Sequence, residues 1–539
     1  MQRSTRRLVA AGAVVLSAAL AVPGAANAHD ALHWTSVAAT PDVRGLAAPN
    51  TLSPELREYT VAQGSLKLEN PTAQVPYYGY DGDGTLLPDP KLTAQPTEAS
   101  KTEPDKNTYL RLRGLHGADP AYDYGTRFLF QGHEAGVTGY LTRINLDADA
   151  AHRATLLTTT LSNGKPIPAI DGSTWDPWNR HLFFSAEGGP GGGLYQATPD
   201  INATVDDLAA VAGRGGFEGI QNDSAGDVWI VEDSGGATPA GSKAKDPNSF
   251  VYRLVPYDRT DLTKGARLQA LQVMSARTHT PITFTPIDAA HPTGGIFTDD
   301  QSDLSNYGTT FDTRWVTVHD TRIDVTGQPF DANAAAKAAG ATPFKRPENG
   351  QFRPGTGFRE FFFDATGDTN LASDANAGFG GFGGVYRLTQ DGPTADHGQL
   401  RLFYRGDQAH TGLDNVTFID RDHVAFVEDA GDTLHAQRNA PDSGYLFDVR
   451  TDHAGGAQPV RFLGEGRDAS ATLDNMLGEL GNGFQNEGDN EITGIHMSDG
   501  DPTTGGILGA KVPEPFEDGW RLFWTQQHGD NNTWEIVRR

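Results

Sequence analysis

The feature that most constrains the fold of this chain is a short unit that recurs six times along the sequence. Each unit is an apolar, β-prone run that ends in polar residues and glycine, and a second short strand follows it. The six units are RFLFQGHEAG (127–136), HLFFSAEGG (181–189), DVWIVEDSGG (227–236), FREFFFDATGD (358–368), HVAFVEDAG (423–431) and RLFWTQQHG (521–529). Repetition of one hairpin plan predicts a six-part radial or stacked β-architecture. In a ring the polar ends of the units meet, so side chains that are distant in sequence form one site.

The spacing of the units indicates how the chain is organised. Their polar ends lie at Glu134, Glu187, Glu232, Asp364, Glu428 and Gln527. A four-stranded blade needs about 40–50 residues, so the longer intervals indicate insertions, at about 260–345 and 453–487. We therefore predict an all-β fold: a six-bladed β-propeller over 106–539, preceded by an N-terminal extension over 29–105. A β-helix or a sandwich is the alternative, but sandwich repeats would not keep one glycine-terminated plan so consistently.

Residues 1–28 have the pattern of an export signal. A basic MQRSTRR stretch precedes an apolar run, and Ala26-Asn27-Ala28 fits a cleavage site with small residues. Arg6-Arg7 fits a twin-arginine signal, and an ordinary export signal with a chance arginine pair is an equally weighted alternative. No other stretch is long and apolar enough to span a membrane. We therefore predict a secreted or extracytoplasmic protein.

The charge balance restricts the partners of the chain. The formal net charge is −26, and loss of residues 1–28 makes it more negative because that segment carries three arginines and no acid. Such a surface repels nucleic acid and anionic membranes and favours cations. The sequence has no cysteine, which excludes disulfides, zinc–thiolate sites, iron–sulfur clusters and cysteine nucleophiles.

A second set of acids precedes several of the strands. These acids are Glu218, Glu348, Asp414 and Glu491, and in a propeller they approach the central channel together with Glu134 and Glu187. Carboxylates that share a small volume raise one another's pKa, and hard divalent cations relieve the repulsion. Oxygen-rich clusters select calcium. For each single acid, a turn cap or a solvent-facing position is the alternative.

Two further side chains fit an anion beside such a cluster. Arg346 lies two residues from Glu348, and on a strand both point to the same face. Its guanidinium suits a phosphate or carboxylate, and an ion pair with Glu348 is the alternative. Thr493 has the same spacing from Glu491, so its hydroxyl either donates to an oxyanion or pairs within the sheet. His133 and His528 are expected to be structural hydrogen-bonding residues.

These residues together resemble the secreted PhoX-type alkaline phosphatase family over about 105–539. The matching pieces are Gly132-His133-Glu134, Asp176-Pro177-Trp178 through Glu187, Phe217-Glu218-Gly219-Ile220, Val231-Glu232-Asp233, Arg346-Pro347-Glu348, Asp414-Asn415 and Asn490-Glu491-Ile492-Thr493-Gly494. The resemblance implies a six-bladed propeller that is exported by the twin-arginine route. It also implies hydrolysis of small phosphate monoesters with iron and calcium held at the channel mouth.

Carried over by position, the resemblance implies a set of metal ligands and a set of catalytic residues. The implied ligands are Glu134, Glu187, Glu218, Asp233, Glu348 and Glu491. The implied phosphate contacts are Arg346 and Thr493, and Glu348 is included with them as a catalytic residue. The implied reaction is metal-assisted hydrolysis, in which the cluster binds the phosphoryl oxygens and supplies either a bridging oxygen species or an activated water as the nucleophile. Arg346 neutralises the charge that develops on the equatorial oxygens. The protein is expected to be a monomer.

One departure from the family concerns the metal. The family holds its iron partly through a cysteine before the tryptophan motif, and the corresponding segment here is Ile170-Asp171-Gly172-Ser173-Thr174-Trp175. Asp171 or Ser173 would supply oxygen instead, which shifts the preference from iron toward calcium. We therefore expect calcium, with iron as the alternative. A second departure is Gly132, where the family has asparagine before the His-Glu pair.

Two other functions remain open at the level of sequence. A lactonase-like or other metal-dependent hydrolase would turn over lactones or esters even after Arg346→Ala. A binding propeller that keeps metal for structure alone would gain thermal stability from calcium and turn over no substrate.

Overall fold

A computed structural model of the chain describes residues 32–41, 49–80, 87–88, 96–97, 102–134, 139–466, 491–527 and 531–539. Residues Trp34–Arg539 form one unit by their contacts. The predicted export signal, the part of the 453–487 insertion after residue 466, and His528 lie outside the described residues.

The described residues are mostly short β-strands. In chain order they are β1 Thr51–Leu52, β2 Leu56–Ala62, β3 Leu87–Pro88, β4 Pro96–Thr97, β5 Thr108–Arg111, β6 Arg127–His133, β7 Tyr140–Asn145, β8 Ala154–Thr158, β9 Ser173–Asp176, β10 His181–Ala186, β11 Gly193–Ala197, β12 Val205–Asp207, β13 Phe217–Asn222, β14 Val228–Glu232, β15 Val251–Pro256, β16 Ala266–Val273, β17 Phe311–Asp320, β18 Gly350–Phe352, β19 Glu360–Ala365, β20 Gly384–Gln390, β21 His397–Arg405, β22 Leu413–Phe418, β23 His423–Glu428, β24 Ser443–Asp448, β25 Val460–Gly464, β26 Glu491–Ser498, β27 Arg521–Gln527 and β28 Thr533–Arg538.

Four α-helices occur in the described part of the chain: α1 Ala209–Ala212, α2 Asp299–Leu304, α3 Ala332–Ala338 and α4 Gly431–Arg438. Within the described ranges, every helix is too short to cross a membrane.

The strands form antiparallel sheets in which each strand pairs with its neighbour in sequence. Two sheets contain β5–β8 and β9–β12, a third contains β22–β25 with β1 at its edge, and a fourth contains β26–β28 with β2 at its edge. A nine-stranded sheet has the order β13-β14-β15-β16-β17-β21-β20-β19-β18, and β3 pairs with β4. The prediction of an all-β fold is confirmed, and the sheets have a propeller-like arrangement.

Six separate blades are not seen, because one sheet is continuous where two were expected. Strand β17 is ten residues long and pairs with β16 along most of its length. Its first residues, Phe311 to Arg314, also pair with Leu400 to His397 of β21. This edge-to-edge pairing joins β13–β17 to β18–β21.

The first strand of each antiparallel set lies on the inside of the arrangement. Strands β5, β9, β13, β18, β22 and β26 contact one another in that order, and β26 contacts β5. Apolar side chains fill the space between neighbouring sheets and between the two halves of the nine-stranded sheet. One example is Trp229 of β14, which packs edge-on against Trp315 and Phe352 at ring-centre distances of 5.0 and 4.9 Å. Burial of such aromatic area is the main force that holds sheet on sheet.

The N-terminal extension is tied to the last two sheets. Strand β1 pairs with β25, and β2 pairs with the C-terminal strand β28. Tyr78 and Tyr80 are fully buried and anchor the extension through their aromatic rings. The Tyr78 hydroxyl contacts Gln131 and Thr533, so the extension is bonded to both the first and the last sheet.

The segment 260–345 contains sheet strands as well as loops. Strands β16 and β17 belong to the nine-stranded sheet, whereas the helices α2 and α3 lie outside it.

Candidate metal centre

The inner strands surround a cavity of about 250 Å³ that is lined almost entirely by carboxylates. We call it the acidic pocket. Its lining residues are Glu103, Asp105, Glu134, Asp171, Glu187, Glu218, Asp233, Glu348, Asp414, Asp429 and Glu491, with Arg346 and Thr493.

Each of the six inner strands contributes one acid at or just before its beginning. Asp105, Asp171 and Glu348 come just before β5, β9 and β18, whereas Glu218, Asp414 and Glu491 lie within the first two residues of β13, β22 and β26. The pairing register shifts between Phe217 and Ile220 in β13, between Leu413 and Val416 in β22, and between Ile492 and Gly494 in β26. A β-bulge re-aims a side chain in this way.

A second series of pocket residues comes from the ends of the next strands. The acids Glu134, Glu187, Asp233 and Asp429 each directly follow the last residue of β6, β10, β14 and β23. In the last sheet the final residue of β27, Gln527, reaches the pocket, and its amide donates to Asp105 at 2.8 Å and to Glu134 at 3.1 Å. The sixth sequence unit therefore supplies a donor to two acids, whereas the first, second, third and fifth units supply an acid. Asp364 of the fourth unit does not line the pocket and accepts from the backbone of Asn349 instead.

Two groups of carboxylates within the pocket are close enough to share a cation. Ligand atoms of Glu187, Glu218, Asp233 and Glu348 all lie within 4.8 Å of one another, and so do those of Asp105, Glu134 and Asp171. We call them the first and second carboxylate clusters. Each draws its members from two sheets, so either cluster depends on the contact between those sheets.

The pocket strongly disfavours ionised carboxylates in the absence of cations. Burial raises the pKa of Asp105, Glu187 and Glu218 well above the usual carboxyl range, and neighbouring carboxylates raise it further. The same two causes raise the pKa of Asp171 and Glu348. Burial also raises the pKa of Asp414 to about 7.

The donor set fits a hard divalent cation. All the candidate ligand atoms in the two clusters are carboxylate oxygens, which suit calcium, magnesium or manganese better than a soft metal. Glu218 is 4% exposed, and its Oε2 has no hydrogen-bond partner among the described residues. A buried carboxylate oxygen without a donor is costly, and a bound cation would satisfy it.

Arg346 lies at the edge of the first cluster and is held by two of its acids. Its Nε donates to Asp233 at 2.8 Å, and its Nη2 lies 2.7 Å from Asp233 and 3.3 Å from Glu348. Burial opposes the charged guanidinium, but Asp233 and Glu348 raise its pKa overall. The backbone has φ +55°, which is unusual for a residue other than glycine, and such conformations concentrate at functional sites. No described residue accepts a hydrogen bond from Nη1, so this edge is available to a ligand.

A buried lysine, Lys106, lies close to the pocket acids. The Lys106 ammonium donates to the side-chain oxygen Oδ1 of Asn349, and the side-chain Nδ2 of Asn349 donates to Glu218 at 3.2 Å and to Asp414 at 3.4 Å. Lys106 is 3% exposed. The pair thus fixes the orientation of two pocket acids and offsets part of their charge.

The structure brings all eight of the sequence-predicted site residues into the pocket: Glu134, Glu187, Glu218, Asp233, Arg346, Glu348, Glu491 and Thr493. Thr493 also donates to the carbonyl of Pro104 at 3.3 Å. His133 is buried between hydroxyls of Thr102 and Thr142 and stacks on Tyr140, which agrees with the structural role expected for it.

Of the two oxygens considered in place of the absent cysteine, only Asp171 lines the pocket. Ser173 instead bonds to Thr108 at 2.7 Å and to the Lys106 carbonyl at 3.0 Å. Gly172 between them allows close approach, since a Cβ there would lie 2.2 Å from the Glu218 carbonyl oxygen.

Sequence reasoning missed several pocket residues. Asp429 directly follows Glu428 as Asp233 follows Glu232, and this repeated Glu-Asp pair was a usable signal. Asp105 was assigned to the extension, although it comes three residues before β5. Lys106 and Asn349 carried no signal in the sequence.

The pKa shifts predict how stability depends on pH. A carboxyl whose pKa is higher in the folded state than in the unfolded state keeps its proton longer when folded, so stability is lost as pH rises through the folded pKa. Bound calcium neutralises the carboxylates in place of those protons, so this loss of stability with rising pH does not occur in the calcium-loaded protein. The difference in melting temperature between calcium-loaded and chelated protein is therefore expected to be larger at pH 9 than at pH 7.

Thermal unfolding at both pH values, with calcium and with chelator, measures this difference. The measurements are made at pH 7 and above, because two buried histidines destabilise the fold in acid. Burial lowers the pKa of His133 and His496 to about 3. A difference that shrinks between pH 7 and pH 9 would contradict the repulsion assigned to the acidic pocket.

Comparisons with known proteins agree with this geometry. The family model "Alkaline phosphatase PhoX" matches residues 241–504. Pseudomonas fluorescens PhoX, solved in complex with vanadate, a transition state analogue, has 10% sequence identity and a TM-score of 0.55, with 94% of this chain and 98% of that chain covered. No curated protein matches the chain by sequence.

Two further solved structures are much less similar. The Dos1 propeller has 9% identity and a TM-score of 0.32, with 94% of this chain and 95% of that chain covered. Chaetomium thermophilum Sqt1, bound to the N-terminus of the ribosomal protein L10, has 10% identity and a TM-score of 0.28, with 81% and 97% covered. These two likenesses are too weak to carry a conclusion.

A propeller-like all-β fold around a pocket of carboxylates defines a class of protein built to hold metal ions at the inner ends of its strands. Within that class, residues 241–504, just under half of the chain, match the alkaline phosphatase PhoX family, and the fold is similar to that of a solved PhoX. These two matches support a phosphatase.

Proposed function

We propose that the protein hydrolyses phosphate monoesters in the acidic pocket with calcium as its metal. The observation that carries the proposal is the meeting of two carboxylate clusters, Arg346 and Thr493 in one cavity of about 250 Å³. A cavity of this size holds a phosphate group and leaves the alcohol part of the ester outside, which suits small substrates of varied structure.

The carboxylates of the pocket would bind two cations. Glu187, Glu218, Asp233 and Glu348 would hold one cation, and Asp105, Glu134 and Asp171 another, with Glu491 at the margin. When bound, divalent metal ions polarise phosphoryl oxygens and lower the pKa of a nucleophilic water.

Arg346 and Thr493 would then bind the phosphoryl group. Arg346 is fixed by Asp233 and Glu348, so its free Nη1 is oriented before the substrate arrives. A guanidinium in this place opposes the negative charge that develops in the transition state. Thr493 would rotate its hydroxyl from the Pro104 carbonyl to a phosphoryl oxygen.

We further propose that the nine-stranded sheet represents two blades, which gives six in all. Strands β13–β16 and β18–β21 each repeat the antiparallel order of the separate sheets, and each contributes one inner strand to the closed series of contacts. We propose export through the signal in residues 1–28. Replacement of Arg6-Arg7 by Lys-Lys is expected to retain the protein in the cytoplasm if the signal is of the twin-arginine type.

A substrate panel tests the reaction class. Purified mature protein with calcium is expected to release p-nitrophenol from p-nitrophenyl phosphate and to leave p-nitrophenyl acetate and aliphatic lactones unchanged. Turnover of the ester or lactones that survives Arg346→Ala would favour a lactonase-like hydrolase instead. Absence of all turnover, together with a higher melting temperature in calcium, would favour a binding protein with structural metal.

A further inference from the structure

A second cavity, of about 320 Å³, lies next to the acidic pocket. We call it the arginine cavity. Strand β23 connects the two, because its last residue Glu428 lines the arginine cavity and the following Asp429 lines the acidic pocket. The polar side chains that line it are Gln408, Glu428, Arg438, Ser443, Tyr445 and Arg461.

Arg461 is a cation whose side-chain hydrogen-bond partners within the described ranges are all neutral groups. Its Nε donates to Ser443 at 3.0 Å and its Nη2 donates to the Tyr445 hydroxyl at 3.1 Å, both neutral groups. Nη1 is 3.5 Å from the carbonyl of Val37. Among the described residues, no acid lies within ion-pairing distance of Arg461.

Arg438 and Glu428 form an ion pair that leaves hydrogen-bonding atoms unused. Nη1 of Arg438 lies 2.7 Å from Glu428 Oε1, and Nη2 lies 3.5 Å from Asp442. The side chains of Arg438 and Glu428 are 9% and 1% exposed. Nonetheless, Nε of Arg438 and Oε2 of Glu428 have no hydrogen-bond partner among the described residues. Asp442 is also bonded to His435, so it does not offset Arg461.

The residues that line the cavity thus provide two kinds of group: positively charged donors at a first end and a carboxylate acceptor at a second. Arg461 and the Nε of Arg438 are donors for an anion, whereas Glu428 Oε2 repels an anion and accepts from a hydroxyl. A bare anion satisfies only the first end, and a neutral alcohol satisfies only the second. Buried groups of this kind gain most from a ligand that pairs with both.

We propose that the arginine cavity binds a small organic monoanion that also carries hydroxyl groups, of the hydroxy-acid class. Its acid group pairs with Arg461 and Arg438, and a hydroxyl donates to Glu428. The volume is at the lower limit for small-molecule sites, which fits a ligand of a few carbons. Gln408 and Ala409 are exposed and line the cavity, so it opens to solvent. The proposal is independent of the reaction in the acidic pocket.

Calorimetric titration of the full chain tests the proposal with three probes: D-glycerate, propionate and glycerol. Chelator is present, so that binding to metal in the acidic pocket does not contribute. D-glycerate is expected to bind with one site per chain and at least about tenfold tighter than propionate, which lacks hydroxyls, and glycerol is expected to show no binding. Equal affinity for glycerate and propionate, or no binding of glycerate, would overturn the proposal.

Variants locate the site. Arg461→Gln is expected to weaken glycerate binding at least about tenfold, because a charge-assisted hydrogen bond is lost. Arg346→Gln, in the acidic pocket, and Arg401→Gln, an exposed arginine of β21, are expected to bind as the parent chain does. If Arg461→Gln does not fold, Tyr445→Phe, which removes the hydroxyl that accepts from Arg461, replaces it and is expected to weaken binding. Unchanged glycerate affinity in Arg461→Gln or Tyr445→Phe, or a weakened affinity in Arg346→Gln, would refute the assignment of the site to the arginine cavity.

Discussion

Arg346→Gln is expected to lower kcat/KM for p-nitrophenyl phosphate about 10²–10³-fold, the usual effect of removing a donor that stabilises transition-state charge. The loss should appear mainly in kcat, because the guanidinium acts most strongly on charge that develops during the reaction. Arg346→Lys keeps the charge but loses the fork that pairs with Asp233 and Glu348, so it is expected to recover only part of the rate. Steady-state kinetics with saturating calcium measure the effect.

Arg353 provides a matched control for this substitution. It also bridges two carboxylates, with Nη1 3.1 Å from Glu360 and Nη2 2.6 Å from Asp422, but it does not line the acidic pocket. Arg353→Gln is expected to leave kcat/KM unchanged and to affect only stability. If Arg346→Gln retained full kcat/KM, Arg346 would be a structural partner of Asp233 and not a phosphate contact.

The double substitution Glu218→Gln with Glu348→Gln is expected to have opposite effects on metal binding and on metal-free stability. Two of four ligands of the first carboxylate cluster lose their charge, so calcium affinity should fall at least about 100-fold, since even outer-shell changes cost 10–100-fold. Activity should fall with it. The chelated double variant, however, should melt at a higher temperature than the chelated parent, because repulsion among buried carboxylates is relieved.

Glu232→Gln is the control for position and burial. Glu232 is buried beside Asp233, but it faces Tyr252 and Asn333 instead of the pocket. This variant is expected to bind calcium as the parent does. Calcium titration and thermal unfolding are measured for the parent, the double variant and Glu232→Gln. Unchanged calcium affinity in the double variant would show that the first carboxylate cluster does not bind calcium.

The exact residue at which each strand ends explains which pocket acids could be identified from the sequence and which could not. The repeated units showed that polar residues end the second strand of each set, and Glu134 and Glu187 were found in this way. In the units VED at 231–233 and 427–429, the glutamate is the last strand residue and the following aspartate reaches the pocket. Glu428 therefore points into the arginine cavity instead. A single-residue difference in where a strand ends is beyond what periodicity resolves.

Other features depend on tertiary contacts that no local pattern records. The bulges at Glu218 and Asp414 arise where inner strands pair with their neighbours. The joining of β17 to β21 depends on the length of β17, which lies in the segment 260–345 that was predicted as an insertion. Lys106 and Asn349 lie 243 residues apart and meet only in the closed fold. The family resemblance supplied Asp233 and the reaction class, which composition and spacing alone left open.

Calcium add-back to chelated protein tests the central claim most directly. The mature chain is stripped with chelator, dialysed, and titrated with calcium while p-nitrophenyl phosphate hydrolysis and melting temperature are followed in parallel. We expect no hydrolysis without metal, and a return of activity over the same calcium range that raises the melting temperature. Full hydrolysis in chelator, or a calcium-dependent rise in melting temperature with no hydrolysis, would contradict a calcium-dependent phosphatase in the acidic pocket.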